Sequence, residues 1–344
     1  MTQPADTGPV RLPQPTTDLS ASTPFTSAPP TTPPAGVPTN GELGLTRSRP
    51  VPPAGWRKAV YRATGFNPGE SAKQSRQRAV IHRVNQPVRG AFSVAVLSQK
   101  GGVGKTTTAV GLGATLAAMR GDRVIAVDAN PDFGTLAQRG PGETGSTVRD
   151  VLLDENIVRY SDMRGHTSQG SSGLEILASE RDPATSEAFS EADYRGVLDV
   201  LKRFYNVILT DCGTGLVHSA MAGVLDAADM IVIVASPAVD SARSALATLD
   251  WLTRHGYSRL VPWATVVVSA SRPGALGLDI HQLARGFLPR ARALHIIPFD
   301  DHLAEGSEIH PDLLSRQARQ AFLELAATVA DGFSAVRATE LGGA

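Results

Sequence analysis

An apolar strand that runs directly into a glycine-rich turn and then into a helix leaves few folds open, and residues 91–119 carry that order. "AFSVAVLS" reads as a buried strand, "QKGGVGK" as the turn, and "GKTTTAVGLGATLAAM" as a helix. Gly101, Gly102 and Gly104 let backbone N–H groups close around phosphate oxygens at the helix N-terminus. In such a loop Lys105 reaches the β and γ phosphates, and the Thr106 hydroxyl ligates Mg²⁺. One lysine serves that purpose, yet the loop has two, Lys100 and Lys105. Gln99 stands where a glycine usually opens the loop.

The alternation continues along the chain. Further Val- and Ile-rich runs fall at 123–128, 205–210, 230–235, 264–269 and 293–297, with a short candidate strand at 173–179. Amphipathic stretches lie at 105–119, 190–203, 216–226, 241–255, 279–287 and 312–335. The pattern predicts an α/β fold, a mainly parallel sheet with helices on both faces. Ligands of such sheets bind at the carboxyl ends of the strands. Asp211, closing "YNVILTD", supplies the carboxylate that nucleotide hydrolysis needs on a neighbouring strand for the Mg²⁺ shell. Gly213 and Gly215 behind it make a loop able to sense a γ-phosphate. Cys212 reads as a small packing residue.

Composition divides the chain. Thirteen of the 24 prolines lie in the first 53 residues, so 1–55 is expected to be a disordered Pro/Thr/Ser-rich tail, either plainly solvated or docking a proline-recognising partner. Residues 56–89 form a basic helical segment with a net charge of +7, Glu70 being its one acidic residue. Trp56, Val60 and Tyr61 recur at helical spacing there, Gly65 and Pro68 stop that helix, and a second helix follows at about 70–84. The α/β region is expected over 90–338 and a flexible C-terminus over 339–344; residues 90–344 together carry −7. With a single cysteine, no apolar leader and no run near the roughly 20 residues that span a bilayer, the expectation is a cytoplasmic protein.

"QKGGVGKTT" resembles the deviant phosphate loop of the MinD/ParA family of ATPases, and the resemblance runs from about 91 to 335. It implies ATP and Mg²⁺ as cofactors and a homodimer that sandwiches two ATP molecules. Lys100 would be the signature lysine that reaches the partner's phosphates. Gly101, Gly102, Val103, Gly104, Lys105, Thr106 and Thr107 would cradle the nucleotide. "VIAVDANPDFGTLAQR" resembles the first switch and "ILTDCGTG" the second metal-site strand, so Asp128 and Asp211 would join Thr106 at the metal. "ALHIIPFDDHL" resembles the adenine-pocket stretch through Pro298 and Asp300, and Arg272 falls where the family often places another base-side contact.

One departure matters. The family usually reads Asp-x-Asp in the first switch, its second aspartate orienting the attacking water, whereas this chain reads Asp128-Ala129-Asn130. An amide holds a water but cannot take its proton. With Lys100, Lys105, Asp128 and Asn130 as the catalytic set, slow hydrolysis is expected unless the turn brings Asp132 round. "GWRKAVYRATGFNPGESAKQSRQR" ahead of such a domain resembles the EspI-type proteins of type VII (ESX) secretion loci in actinobacteria. That implies an accessory ATPase regulating secretion, which a secretion-apparatus protein binds through 56–89 and recruits to the inner face of the membrane. Three alternatives stay open. A ParA-type partition ATPase would bind DNA non-specifically, against which the −7 of the ATPase region argues. Peripheral membrane binding has only the Trp56 helix to offer. A nucleotide-binding scaffold without turnover is motivated by Asn130.

Overall fold

The computed structural model describes residues 71–130, 134–179, 189–216, 218–274 and 280–334. The Pro-rich tail, the Trp56 helix, Asp132 and the C-terminal 339–344 lie outside them. All described residues belong to one compact unit, Glu70–Ala344.

Its centre is an eight-stranded sheet. In chain order the strands are β1 (Phe92–Leu97), β2 (Val124–Ala129), β3 (Ser168–Gln169), β4 (Glu175–Leu177), β5 (Val207–Cys212), β6 (Met230–Ala235), β7 (Thr265–Ser269) and β8 (Ala293–Ile297). Their order in space is β3-β4-β2-β5-β1-β6-β7-β8. Every pairing is parallel except β3 with β4. β1, β2, β5 and β6 are buried at every residue, as strands covered on both faces must be. Period-two alternation sorts their side chains between two cores. Phe92, Val94 and Val96 join one core with Val207 and Leu209, while Ala95 and Leu97 join the other with Ile208 and Cys212.

Three helices cover the first core: α1 (Ala72–Val84), α2 (Lys105–Met119) and α10 (Arg316–Ala330). Helix α2 is buried without interruption from Thr107 to Ala114, because it is wedged between sheet and α10. A Cβ on Gly111 would strike the Phe322 ring, and one on Gly113 would come within 2.7 Å of Leu209. The opposite core is covered by α5 (Glu191–Lys202), α6 (Ser219–Ala227) and α7 (Val239–Arg254). The short helices α3 (Val148–Leu153), α4 (Tyr160–Arg164), α8 (Ile280–Phe287) and α9 (Asp301–Ala304) complete the unit.

Every strand and long helix expected between 91 and 335 is present, with ends shifted by up to five residues. The largest shift is at the end of α10, which stops at Ala330, and its start is also later than the apolar pattern because Ser315 accepts from Ala318 N at 3.2 Å. Helix α1 starts in a capping box formed by Ser71 and Gln74. Its Val80 and Val84 enter the first core. The Arg83 guanidinium forks onto Asp331 just past α10, Nε to Oδ1 at 3.1 Å and Nη2 to Oδ2 at 2.6 Å. The second half of the basic segment is therefore packed on the sheet-bearing unit, with Lys73, Arg76, Arg78 and Arg89 exposed.

Candidate nucleotide site

β1 is the strand at which the order of connections reverses: the chain runs from β1 to β2 on one side and later passes over β1 from β5 to β6. At such a point the carboxyl ends diverge and leave a crevice. A cavity of about 510 Å³ opens there, within the range of small-ligand sites. Its walls include Lys100, Gly101, Gly102, Gly104, Lys105, Thr106, Thr107, Asn130 and Asp300.

The loop after β1 is held by local geometry. Gly104 is the N-cap of α2 at φ +88°, a conformation that favours glycine, and a Cβ there would lie 2.8 Å from Ser269 Oγ. No side chain caps α2, so its first N–H groups face the cavity without a protein acceptor from the cap. Ser98 Oγ accepts from Lys100 N at 3.1 Å and donates to Lys100 O at 2.9 Å, which closes the entry to the loop. Val103 turns into the first core.

Beneath the loop the β2 and β5 ladder puts Asp128 directly beside Asp211. Lys105 Nζ donates to Asp211 Oδ1 at 2.6 Å, and Thr106 Oγ1 to Asp211 Oδ2 at 2.6 Å. This pair is closed to solvent, with side chains 11% and 2% exposed. Asp128 Oδ1 accepts from Asn130 N at 3.0 Å and Oδ2 from Leu136 N at 3.1 Å, so one carboxylate holds both Asn130 and Leu136. Burial, then the charge of Asp211, pushes the Asp128 carboxyl up to about 7. Gly134 is fixed by close approach, since a Cβ would run into Ser179 and Asp128. Burial pushes the Cys212 thiol far above its ordinary range, in keeping with a packing role.

These residues fit a magnesium nucleotide. Two buried carboxylates and a threonine hydroxyl converge below a loop of N–H donors, while the described residues hold no cluster of three or more His, Cys, Asp or Glu side chains suited to hold a metal alone. Mg²⁺ prefers that arrangement, one or two carboxylates with substrate phosphates completing its shell.

Lys100 points elsewhere. It sits at the cavity mouth and pairs with Asp240 at the start of α7, while Ser244 on the same helix donates to Gln99 at 3.3 Å. On the far wall Asp300 caps α9, both its oxygens accepting backbone N–H groups, from Leu303 at 3.2 Å and Ser315 at 2.8 Å. Burial works against its charge, but these bonds outweigh it and hold the carboxyl below its ordinary range. Pro298 and Arg272 are not among the cavity-lining residues; Arg272 is exposed, and the neighbouring Phe299, Ser269 and Ser271 take the wall. Thr135, Gln138, Arg139, Leu303 and Gly306 also line the cavity. Thr135, Gln138 and Arg139 fall within the stretch that resembles the first switch, and Leu303 ends the one that resembles the adenine-pocket stretch, but nothing in either assigns them to the cavity; Gly306 reaches it only through the fold.

Comparison with known proteins bears on the family and the fold. A family model described as an AAA domain matches residues 92–253. The ESX-1 secretion-associated protein EspI of Mycobacterium tuberculosis H37Rv is 38% identical over 281 residues, 81% of this chain and 42% of EspI. The chain thus spans less than half the length of that relative. The chromosome partitioning protein ParA of Caulobacter vibrioides is 31% identical over 150 residues, 41% of this chain and 54% of ParA. Among solved structures, the septum site-determining protein MinD of Pyrococcus horikoshii, complexed with Mg-ADP, shares the fold at a TM-score of 0.56 and 21% identity. That match covers 73% of this chain and 98% of that one.

Proposed function

Because the chain belongs to the MinD/ParA-like P-loop ATPases, of the EspI type, we propose that it is an ATP-dependent dimerising switch with weak ATPase activity, accessory to type VII secretion. The observation that carries the reading is the division of labour between two lysines of one loop. Lys105 is buried in the cavity on Asp211, whereas Lys100 stands at its mouth, held by an exposed carboxylate. Lys105 and the N–H groups of residues 101–107 would bind the phosphate chain. Thr106, Asp128 and Asp211 would hold Mg²⁺, which supplies charge neutralisation between the terminal phosphates. Asn130 would place a water without taking its proton. Lys100 would leave Asp240 to reach the phosphates of a second copy, so nucleotide binding and dimerisation become one event. Asn130 in the cavity wall also supports a second reading, a scaffold that binds nucleotide and does not turn it over.

The test is sedimentation with a non-hydrolysable ATP analogue. Wild type is expected to dimerise, and Lys100→Ala to bind the analogue as a monomer. A variant that dimerises like wild type refutes the role of Lys100. For the partner, the exposed cations of α1 are the candidate contact. Removing residues before 90 would also strip Val80 and Val84 from the core, so Lys73→Glu with Arg76→Glu is the cleaner change. Loss of ATP-dependent retrieval of a secretion component is expected. No described helix is long and apolar enough to cross a membrane.

A further inference from the structure

The geometry points to Arg139 as an additional phosphate-binding residue of the nucleotide site, a role that no loop motif assigns to it. The inference rests on reading the cavity as that site. Arg139 ends the short 3₁₀ turn Leu136–Arg139, whose first residue donates its N–H to Asp128. Its side chain is half-buried and lines the same cavity as Lys105, Thr106 and Asn130.

Of its five N–H donors, one is engaged in a long contact, Nη1 to Leu303 O at 3.5 Å. Among the described residues no carboxylate forms an ion pair with it. The other cations of the cavity do have such partners, Lys105 in Asp211 and Lys100 in Asp240. Burial pulls the Arg139 pKa down from its ordinary value, and the Asp211 charge that reaches it opposes this only in part. A half-buried guanidinium without a paired anion is unfavourable until an anion arrives. The anion this cavity is shaped for is a phosphate chain, and the planar guanidinium fork matches phosphate oxygens two at a time.

The backbone fixes the residue in place. Arg139 O accepts from Ile309 N at 3.3 Å, so the 3₁₀ turn is tied to the loop that follows α9. Nη2 faces Gly306, where an added Cβ would already be in contact at 4.0 Å. Arg139 therefore stands where the segment after β2 and the loop after β8 meet the cavity. A phosphate on its fork would join both to the bound nucleotide.

The experiment is calorimetric titration of the full chain with Mg-ADP and with a magnesium-bound non-hydrolysable ATP analogue, alongside thermal melting without nucleotide. Arg139→Gln is expected to weaken both ligands by about tenfold or more, the loss of a charge-assisted contact, and to leave the ligand-free melting temperature unchanged. Lys105→Ala is the control. If Arg139→Gln binds like wild type while Lys105→Ala is weakened, Arg139 is a bystander and the nucleotide site stands. If neither variant is weakened, the nucleotide site itself is refuted. An Arg139→Gln chain that melts earlier and binds weakly overturns the proposal in another way, because the guanidinium is then structural.

Discussion

Replacing Lys105 with alanine tests the site through two quantities that move together only if the geometry is right. With nucleotide bound, the ammonium would form charge-assisted hydrogen bonds to phosphate oxygens, each worth roughly 1.5–3 kcal/mol. In the ligand-free protein the same ammonium is already engaged, 2.6 Å from Asp211 Oδ1. Binding therefore exchanges one partner for another, and the net loss in the variant falls toward the lower end, about tenfold in affinity. The second quantity is ligand-free stability. Removing one member of a buried ion pair costs about 3–5 kcal/mol when the other charge is left alone. Here Asp211 keeps the Thr106 hydroxyl at 2.6 Å, and the adjacent Asp128 carboxyl, already raised by burial, loses the Lys105 charge that holds it down, which favours its protonation. The stability loss is thus expected below that range but clearly measurable. Calorimetry with Mg-ADP gives the first quantity and denaturant unfolding without nucleotide the second. A variant with wild-type affinity for Mg-ADP would falsify the phosphate-loop assignment. Lost affinity with no change in ligand-free stability would instead refute the buried Lys105–Asp211 pair.

Asn130→Asp puts a carboxylate at the proposed water-placing position with almost no change in volume, and it should raise the turnover rate without tightening nucleotide binding. General-base assistance is worth ~10²–10⁴-fold, so a flat rate in a steady-state ATPase assay would move water activation elsewhere in the loop. Burial holds the His295 imidazole below its ordinary 6.5, with Nε2 2.9 Å from Thr328 Oγ1. The unfolded chain binds a proton as pH drops through 6.5 while the folded chain resists it, so stability is kept above that pH and lost below it. His295→Gln should flatten the fall in denaturant midpoint between about pH 7.5 and 5.5; an unchanged slope would show that His295 titrates freely.

The framework was readable locally because the physics that sets it is local. β1, β5 and β6 announce themselves as short, mostly apolar runs, since strands covered on both faces need apolar side chains at nearly every position. Strand β1, the glycines and α2 are contiguous, so the loop and its two lysines could be placed from spacing alone. Helices α3, α4 and α9 were not legible. Four to six residues are too few for a 3.6-residue period to stand out, and capping bonds such as Thr147 N to Asp150 at 2.7 Å carry much of their definition. Basic segment 56–89 read as a unit by its charge, yet Val80 and Val84 are held by α10, and nothing in the local pattern names that partner.

The sequence by itself determined that a glycine-rich turn with two lysines sits between a buried strand and a helix in an α/β chain, and that Asn130 follows Asp128 by two. Only the tertiary structure decided which charges meet. Asp211 lies 106 positions from Lys105, and Asp240 lies 140 from Lys100. Arg139 faces the cavity because the loop after β8 folds over it. Periodicity and turn chemistry act over a few residues, whereas ion pairing depends on strand order. Strand order is set by how apolar faces far apart in the chain bury one another.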